Sequence, residues 1–307
     1  YTRNSYKVTY QYTGTVPAGA TALPAEATYA YGASVTVAAP ATATGYTFSG
    51  WDKTDFTMPA QDVVISGSWT TNSYAYTIHH VEKGNETNKL ADDTTGTALY
   101  GAVIDVTAAA KEITGFTYDS DSGDITIAVT GNEATIYYAR NSYTLTVNYV
   151  GPNDGVFTAP ATHTATLKYQ EAYNVASPAV AGYTPDLAAV TGTMPANNVT
   201  VTVTYTANTN TAYKVEHYKA NLDETYNTTP DETDNMTGTT GQLTAAVART
   251  YEGFTAQTFE QAKIAGDGST VVKIYYARSW SSYTIHHYLD GTTVSVGDDQ
   301  TGTMMVK

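Results

Sequence analysis

The string Tyr137-Tyr138-Ala139-Arg140-Asn141-Ser142-Tyr143 has two relatives in this chain. Tyr1-Thr2-Arg3-Asn4-Ser5-Tyr6 opens the sequence, and Tyr275-Tyr276-Ala277-Arg278-Ser279-Trp280-Ser281-Ser282-Tyr283 lies near its end. Arg140 follows Arg3 by 137 positions, and Arg278 follows Arg140 by 138. Spacing held that closely marks a repeat, which restricts the fold to small units joined in series. Other strings keep the period. Gly182-Tyr183-Thr184 repeats Gly45-Tyr46-Thr47, and Met194-Pro195-Ala196 repeats Met58-Pro59-Ala60. Gly253-Phe254-Thr255 repeats Gly115-Phe116-Thr117, while Tyr213 and His217 repeat Tyr76 and His80. Tyr283-Thr284-Ile285-His286-His287 copies Tyr76 to His80, and Thr301-Gly302-Thr303 copies Thr95-Gly96-Thr97.

Two kinds of module therefore alternate. Residues 1–73 and 141–207 form one kind, residues 74–140 and 208–278 the other, and 279–307 begins a further copy of the second. Within modules the pattern is that of strands. Tyr6, Val8, Tyr10 and Tyr12 alternate with Lys7, Thr9 and Gln11, and Ile125, Ile127 and Val129 alternate likewise. The 27 tyrosines suit a pleated, half-buried surface. Only Ala108-Ala109-Ala110-Lys111-Glu112 reads as helical, and the polar run through Asn85, Asn88 and Asp92-Asp93 reads as a connection. The joints Thr71-Asn72-Ser73, Asn141-Ser142, Thr206 to Thr211 and Ser279 to Ser282 are short and polar. The expected architecture is β-rich (mainly β to α+β), an elongated tandem array whose modules run strand into strand and support their neighbours at the seams.

A net charge of −14 repels a polyanion, so nucleic acid is not an expected partner. The absence of cysteine removes disulfides and thiolate metal sites. No apolar run reaches membrane-spanning length. The chain begins and stops inside repeats and reads as a fragment.

The first and third modules resemble the internalin B-type (Listeria–Bacteroides-type) repeat of Gram-positive surface proteins. The residues carrying this are Gly45-Tyr46-Thr47-Phe48-Ser49-Gly50-Trp51, Met58-Pro59-Ala60-Gln61-Asp62-Val63 and Trp69, with Gly182-Tyr183-Thr184 and Met194-Pro195-Ala196 in the later copy. The second and fourth resemble MucBP-type (mucin-binding protein) repeats, through Tyr213-Lys214-Val215-Glu216-His217-Tyr218, Thr250-Tyr251-Glu252-Gly253-Phe254-Thr255 and Val272-Lys273-Ile274-Tyr275-Tyr276. These resemblances imply small β-grasp-like folds in the extracellular, wall-attached stalk of an adhesin that projects a binding domain. They equally imply repeats that themselves bind mucin-type glycans or host or bacterial surface proteins. Neither family supplies catalytic residues, and no enzyme or cofactor is expected.

Several side chains bear on chemistry. His79-His80 and His286-His287 attract attention as metal ligands, yet neighbours on a strand face opposite sides. His80, His217 and His287 share one register, which favours a structural position. Asp119, Asp121 and Asp124, in Asp-Ser-Asp-Ser-Gly-Asp, read either as calcium ligands or as an acidic hairpin turn. Lys–Asn isopeptide bonds need a lysine at a recurring core position, and Lys7 and Lys214 do not recur. Tyr10, Tyr12, Tyr137, Tyr218, Tyr276 and Trp280 are the rings that would stack on sugars if exposed. Arg140 and Arg278 are expected at module boundaries, their stems covering apolar edges.

Overall fold

The computed structural model describes residues 1–306. They fall into two units, divided between Asn141 and Ser142. Each of the four complete modules holds one four-stranded mixed sheet. In the first, Ser5–Thr13 and Val63–Thr71 pair in parallel at the centre, with Ala27–Ala30 outside the former and Tyr46–Phe48 outside the latter. The second repeats this with Ser73–Glu82, Asn85–Leu99, Phe116–Asp121 and Glu133–Arg140. The third uses Ser142–Val150, His163–Lys168, Tyr183–Pro185 and Val199–Ala207. The fourth uses Thr211–Lys219, Glu232–Gly238, Phe254–Ala256 and Val271–Arg278. A hairpin of Trp280–Ile285 and Gln300–Met305 follows. The architecture is a tandem set of small β modules. Among the described residues no helix is long and apolar enough to cross a membrane.

Two local expectations change. The alanine run forms only a three-residue 3₁₀ turn, Thr107–Ala109, because the chain on either side is engaged in strand pairing. The polar run from Asn85 is the start of a fifteen-residue strand rather than a loop. It is extended by its long antiparallel pairing with Ser73–Glu82, which overrides weak local propensity.

The cores follow from the strand alternation. Val8, Val63 and Ile65 face Val35 and Met58 in the first module. Ile78, Ile136 and Tyr138 face Ile125 and Ile127 in the second. Leu145, Val147 and Val203 face Met194 in the third, and Val215 and Ile274 face Ile264 in the fourth.

One device recurs in all four. Met58, Ile127, Met194 and Ile264 are each 1% exposed. Each exchanges two backbone hydrogen bonds with a two-residue turn, at Gly32-Ala33, Gly101-Ala102, Gln170-Glu171 and Gly241-Gln242. The steps between these plugs are 69, 67 and 70 positions. The recurring structural unit is thus about half the sequence period, and the two module kinds share one plan.

The first turn residue has positive φ in every case: 78° at Gly32, 78° at Gly101, 63° at Gln170 and 79° at Gly241. Gln170 carries a Cβ where the others have none, which costs about 1–2 kcal/mol in the left-handed region. Gln170→Gly should raise the urea midpoint of the third module, by about 1 kcal/mol of stability after the greater flexibility of unfolded glycine is set against the relief. An unchanged or lower midpoint would show that the turn is not strained.

Candidate functional site

The recurring constellation of polar groups lies at the seams. Val63–Thr71 and Ser73–Glu82 are separated by Asn72 alone, and Glu133–Arg140 and Ser142–Val150 by Asn141 alone. Asn208 to Asn210 separate Val199–Ala207 from Thr211–Lys219, and Ser279 alone precedes Trp280. Each joint residue binds back to the Gly-aromatic-Thr string of its own module. The N–H groups of Asn72, Asn141, Asn208 and Ser279 donate to the carbonyls of Gly45, Gly115, Gly182 and Gly253, at 2.9, 2.9, 2.8 and 2.8 Å. The hydroxyls of Thr47, Thr117 and Thr184 donate to the Oδ1 atoms of Asn72, Asn141 and Asn208 at 2.6, 2.6 and 2.7 Å. Thr255 and Ser279 exchange the equivalent contact at 3.2 Å.

The joint carbonyls point forward. Tyr100 N–H donates to Asn72 at 2.9 Å, Thr240 N–H to Asn208 at 3.0 Å and Val306 N–H to Ser279 at 3.0 Å. The glycine is required by closeness as well as by its positive φ. A Cβ on Gly45 would meet the Tyr100 ring at 2.2 Å, one on Gly182 the Gly266 Cα at 2.4 Å, and one on Gly253 the Val306 side chain at 2.7 Å. At these three seams, each inside one unit, the following segment rests directly on the glycine of its predecessor. The seam of the third and fourth modules adds Asp154. Its carboxylate accepts from Tyr183 Oη at 2.7 Å and from the Val156 and Phe157 N–H groups at 2.8 Å, and its carbonyl accepts from Lys263 Nζ. The recurrence of the Gly-aromatic-Thr string was visible in the sequence. Its partner, an asparagine 26 or 27 positions later, was not, because the joint residues look like ordinary polar linkers.

The arginines sit beside these strings. Arg140 lies over the Phe116 ring at 5.9 Å and grips Glu82 with two contacts, Nε to Oε1 at 2.5 Å and Nη2 to Oε2 at 3.0 Å. That grip lies inside the second module, so Arg140 contributes to module stability as well as to the boundary. Arg278 lies over Phe254 at 4.9 Å.

His80 and His217 are fully buried. His80 Nδ1 meets Tyr138 Oη at 3.0 Å and its Nε2 meets Thr94 Oγ1 at 3.0 Å. Tyr138 Oη also accepts the Lys111 N–H at 2.8 Å, so the tyrosine hydroxyl ties the ring to the backbone of the neighbouring segment. His217 repeats this with Tyr276 at 2.8 Å, whose oxygen accepts the Arg249 N–H, and with Asp234 at 3.1 Å. These are core positions. The adjacent His79 points away and meets Asp93 at 3.2 Å. Burial pushes the His80 imidazole below its ordinary value, with the Lys111 charge adding to the effect.

The three aspartates do not converge. Asp119 accepts from Lys83 Nζ at 2.5 Å, and that ammonium holds its carboxyl below the usual range. Asp121 accepts from Tyr118 Oη at 2.6 Å and from the Gly123 N–H at 2.8 Å. Asp124 accepts the Val106 N–H at 3.1 Å. That last bond has relatives, Val37 N–H to Asp55 at 2.8 Å and Ala246 N–H to the Gln261 amide oxygen at 2.9 Å. A neutral amide does the same work in the fourth module, so the position needs an acceptor and not a charge. Among the described residues no group of three or more His, Cys, Asp or Glu could hold a metal ion.

Of the candidate rings, Tyr218 and Tyr276 are buried. Tyr10 and Tyr12 pack against Trp51, and Tyr12 also packs against Phe48 and Trp69. Trp280 is 57% exposed.

Two outcomes are expected. Asp124→Asn should keep stability within about 0.5 kcal/mol, as a structural acceptor allows, whereas Asp124→Ala should lose about 1–3 kcal/mol by stranding the Val106 N–H. Equal losses in both would point to the charge. His80 gains protons on unfolding below about pH 6.5, the ordinary value of an imidazole, so the second module should be stable above that pH and weaken as pH falls beneath it. His80→Gln, which cannot titrate, should flatten that part of the denaturation profile relative to the parent chain.

Among solved structures, the chain is similar to the type 2 repeat of the mucus binding protein MUB from Lactobacillus reuteri, at 17% identity, over 44% of this chain and 99% of that one, with a TM-score of 0.19. It is similar to streptococcal high identity repeats in tandem (SHIRT) domains 3–4 from a cell surface protein, at 21% identity over 44% and 98%, with a TM-score of 0.25. It is also similar to the Bacillus anthracis TIE protein, at 12% identity over 74% and 52%, with a TM-score of 0.35. Scores of this size bear on neither mechanism nor ligand. No curated protein matches the sequence. The second of two family matches lies inside the third module, likened above to the internalin B-type repeat, so that module and its predecessor match the same family model. Residues 77–139 and 144–206 each match the MucBP domain.

Proposed function

We propose that the chain is a repeat region of a bacterial cell-surface adhesin, and that its work there is spacing: it carries a binding region away from the cell wall. The observation behind this is the seam. A last strand passes through as few as one residue into the next first strand, and that residue is hydrogen-bonded both backward and forward. Such a joint limits bending more than a flexible linker does. The MucBP domain matches support placement at the surface. A second reading, that the repeats hold mucin-type glycans or a host glycoprotein, draws on the name of that domain.

Small-angle scattering tests the spacing role. A compact chain of this length would have a radius of gyration of about 19 Å, from the single-domain scaling. The proposal expects a value well above that, and a value near it would overturn the proposal. Asn208→Ala combined with Thr184→Val removes a seam contact without touching a core. It should broaden the distance distribution while leaving each module's melting nearly unchanged.

A further inference from the structure

The second and fourth modules differ at one corner. Lys219 stands where the second module has Glu82, since each faces the equivalent tyrosine of the parallel strand, Tyr276 or Tyr138. Ala220 likewise replaces Lys83, each donating its N–H to that tyrosine's carbonyl at 2.9 Å. Glu82 and Lys83 satisfy Arg140 and Asp119 in the second module. In the fourth both partners are gone. Arg278 donates from Nε to the Ala220 carbonyl at 3.0 Å and from Nη1 to the Val306 carbonyl at 2.8 Å. Among the described residues it has no carboxylate partner.

The vacated space is an open pocket of about 330 Å³ lined by Glu224, Tyr226, Gln257, Arg278 and Trp280 among others. That is the small end of the usual ligand-pocket range, roughly 300–1,000 Å³. Trp280 occupies the place that Ser73 and Ser142 hold after their joint residues, and its ring is largely in solvent. The indole is thus left more than half exposed at a seam where a serine stands elsewhere. Tyr226 is fixed edge-on against Tyr275, with centroids 4.8 Å apart, and its hydroxyl accepts from Gln257 Nε2 at 3.0 Å. Glu224 is held in the left-handed region at φ 64°, a costly conformation for a residue with a side chain. Its carboxylate forms no ion pair among the described residues.

Flat apolar faces beside a fixed amide, a carboxylate and a guanidinium match the two sides of a sugar: C–H groups on one face, hydroxyls around the rim. Glu224 offsets the charge of Arg278, and the chain as a whole carries −14, which disfavours an acidic saccharide. We propose that this pocket binds a neutral pyranose, with its ring against Trp280 and its hydroxyls on Glu224, Gln257 and Arg278. The inference rests on this pocket, whichever of the two readings above holds.

Saturation-transfer NMR on the whole chain, with methyl β-galactopyranoside, N-acetylgalactosamine and N-acetylneuraminic acid as separate probes, tests it. The expected result is transfer to ring C–H protons of a neutral probe at millimolar concentration. Trp280→Ala should abolish it, and Gln257→Ala should weaken binding by about tenfold or more, as loss of a central contact does. The melting temperature of each variant serves as the folding control. Three results would overturn the site: no transfer from any neutral pyranose, transfer from the acidic sugar alone, or binding that survives both substitutions. None of these alters the scattering result, so the spacing role stands or falls separately.

Discussion

Everything in this chain depends on the parallel pairing of each module's first and last strands. Parallel neighbours run the same way, so a module entered at one end is left at the other. A chain of antiparallel hairpins would return to its starting edge. Here Ser5–Thr13 and Val63–Thr71 carry the backbone across the module in one direction, and Asn72 hands it to Ser73–Glu82 with no reversal. The short joints follow from this topology. So does the burden on Gly45, Gly182 and Gly253, because a joint this short brings the following segment against the end of the module before it.

The fold class was legible because strand alternation is a property of side chains. That the two kinds of module share one plan was not. Met58-Pro59 and Met194-Pro195 share letters, whereas Ile127 and Ile264 do the same job in different sequence, since what defines the position is a pair of backbone hydrogen bonds around one buried apolar side chain. Backbone geometry leaves no letter except glycine, and at Gln170 it leaves none at all. The 137-residue spacing is therefore a doublet of structural repeats whose two halves diverged in surface and plug. The MucBP match across 144–206 is consistent with that common plan.

The polar residues show the same limit from the other side. Asp119, Asp121 and Asp124 look like one motif when read along the chain, yet each is bound to a different neighbour, Lys83, Tyr118 and Val106. Asp124 becomes intelligible only beside Asp55 and Gln261, which its one-dimensional context could not supply. The histidines went the other way. Register alone marked His80 and His217 as a recurring structural position, and the tyrosine hydroxyls that meet their ring nitrogens lie on the paired strand of each module.

The central strand pair has a consequence for load. Six facing positions link the first and last strands in every complete module. Because the chain enters on one and leaves on the other, tension applied through the backbone runs along these strands and tries to slide one past its neighbour. Their hydrogen bonds then resist together, as a lap joint does in shear, instead of parting one after another as at the mouth of a hairpin. A pulled array of this kind would yield module by module, each giving way only when a whole ladder fails.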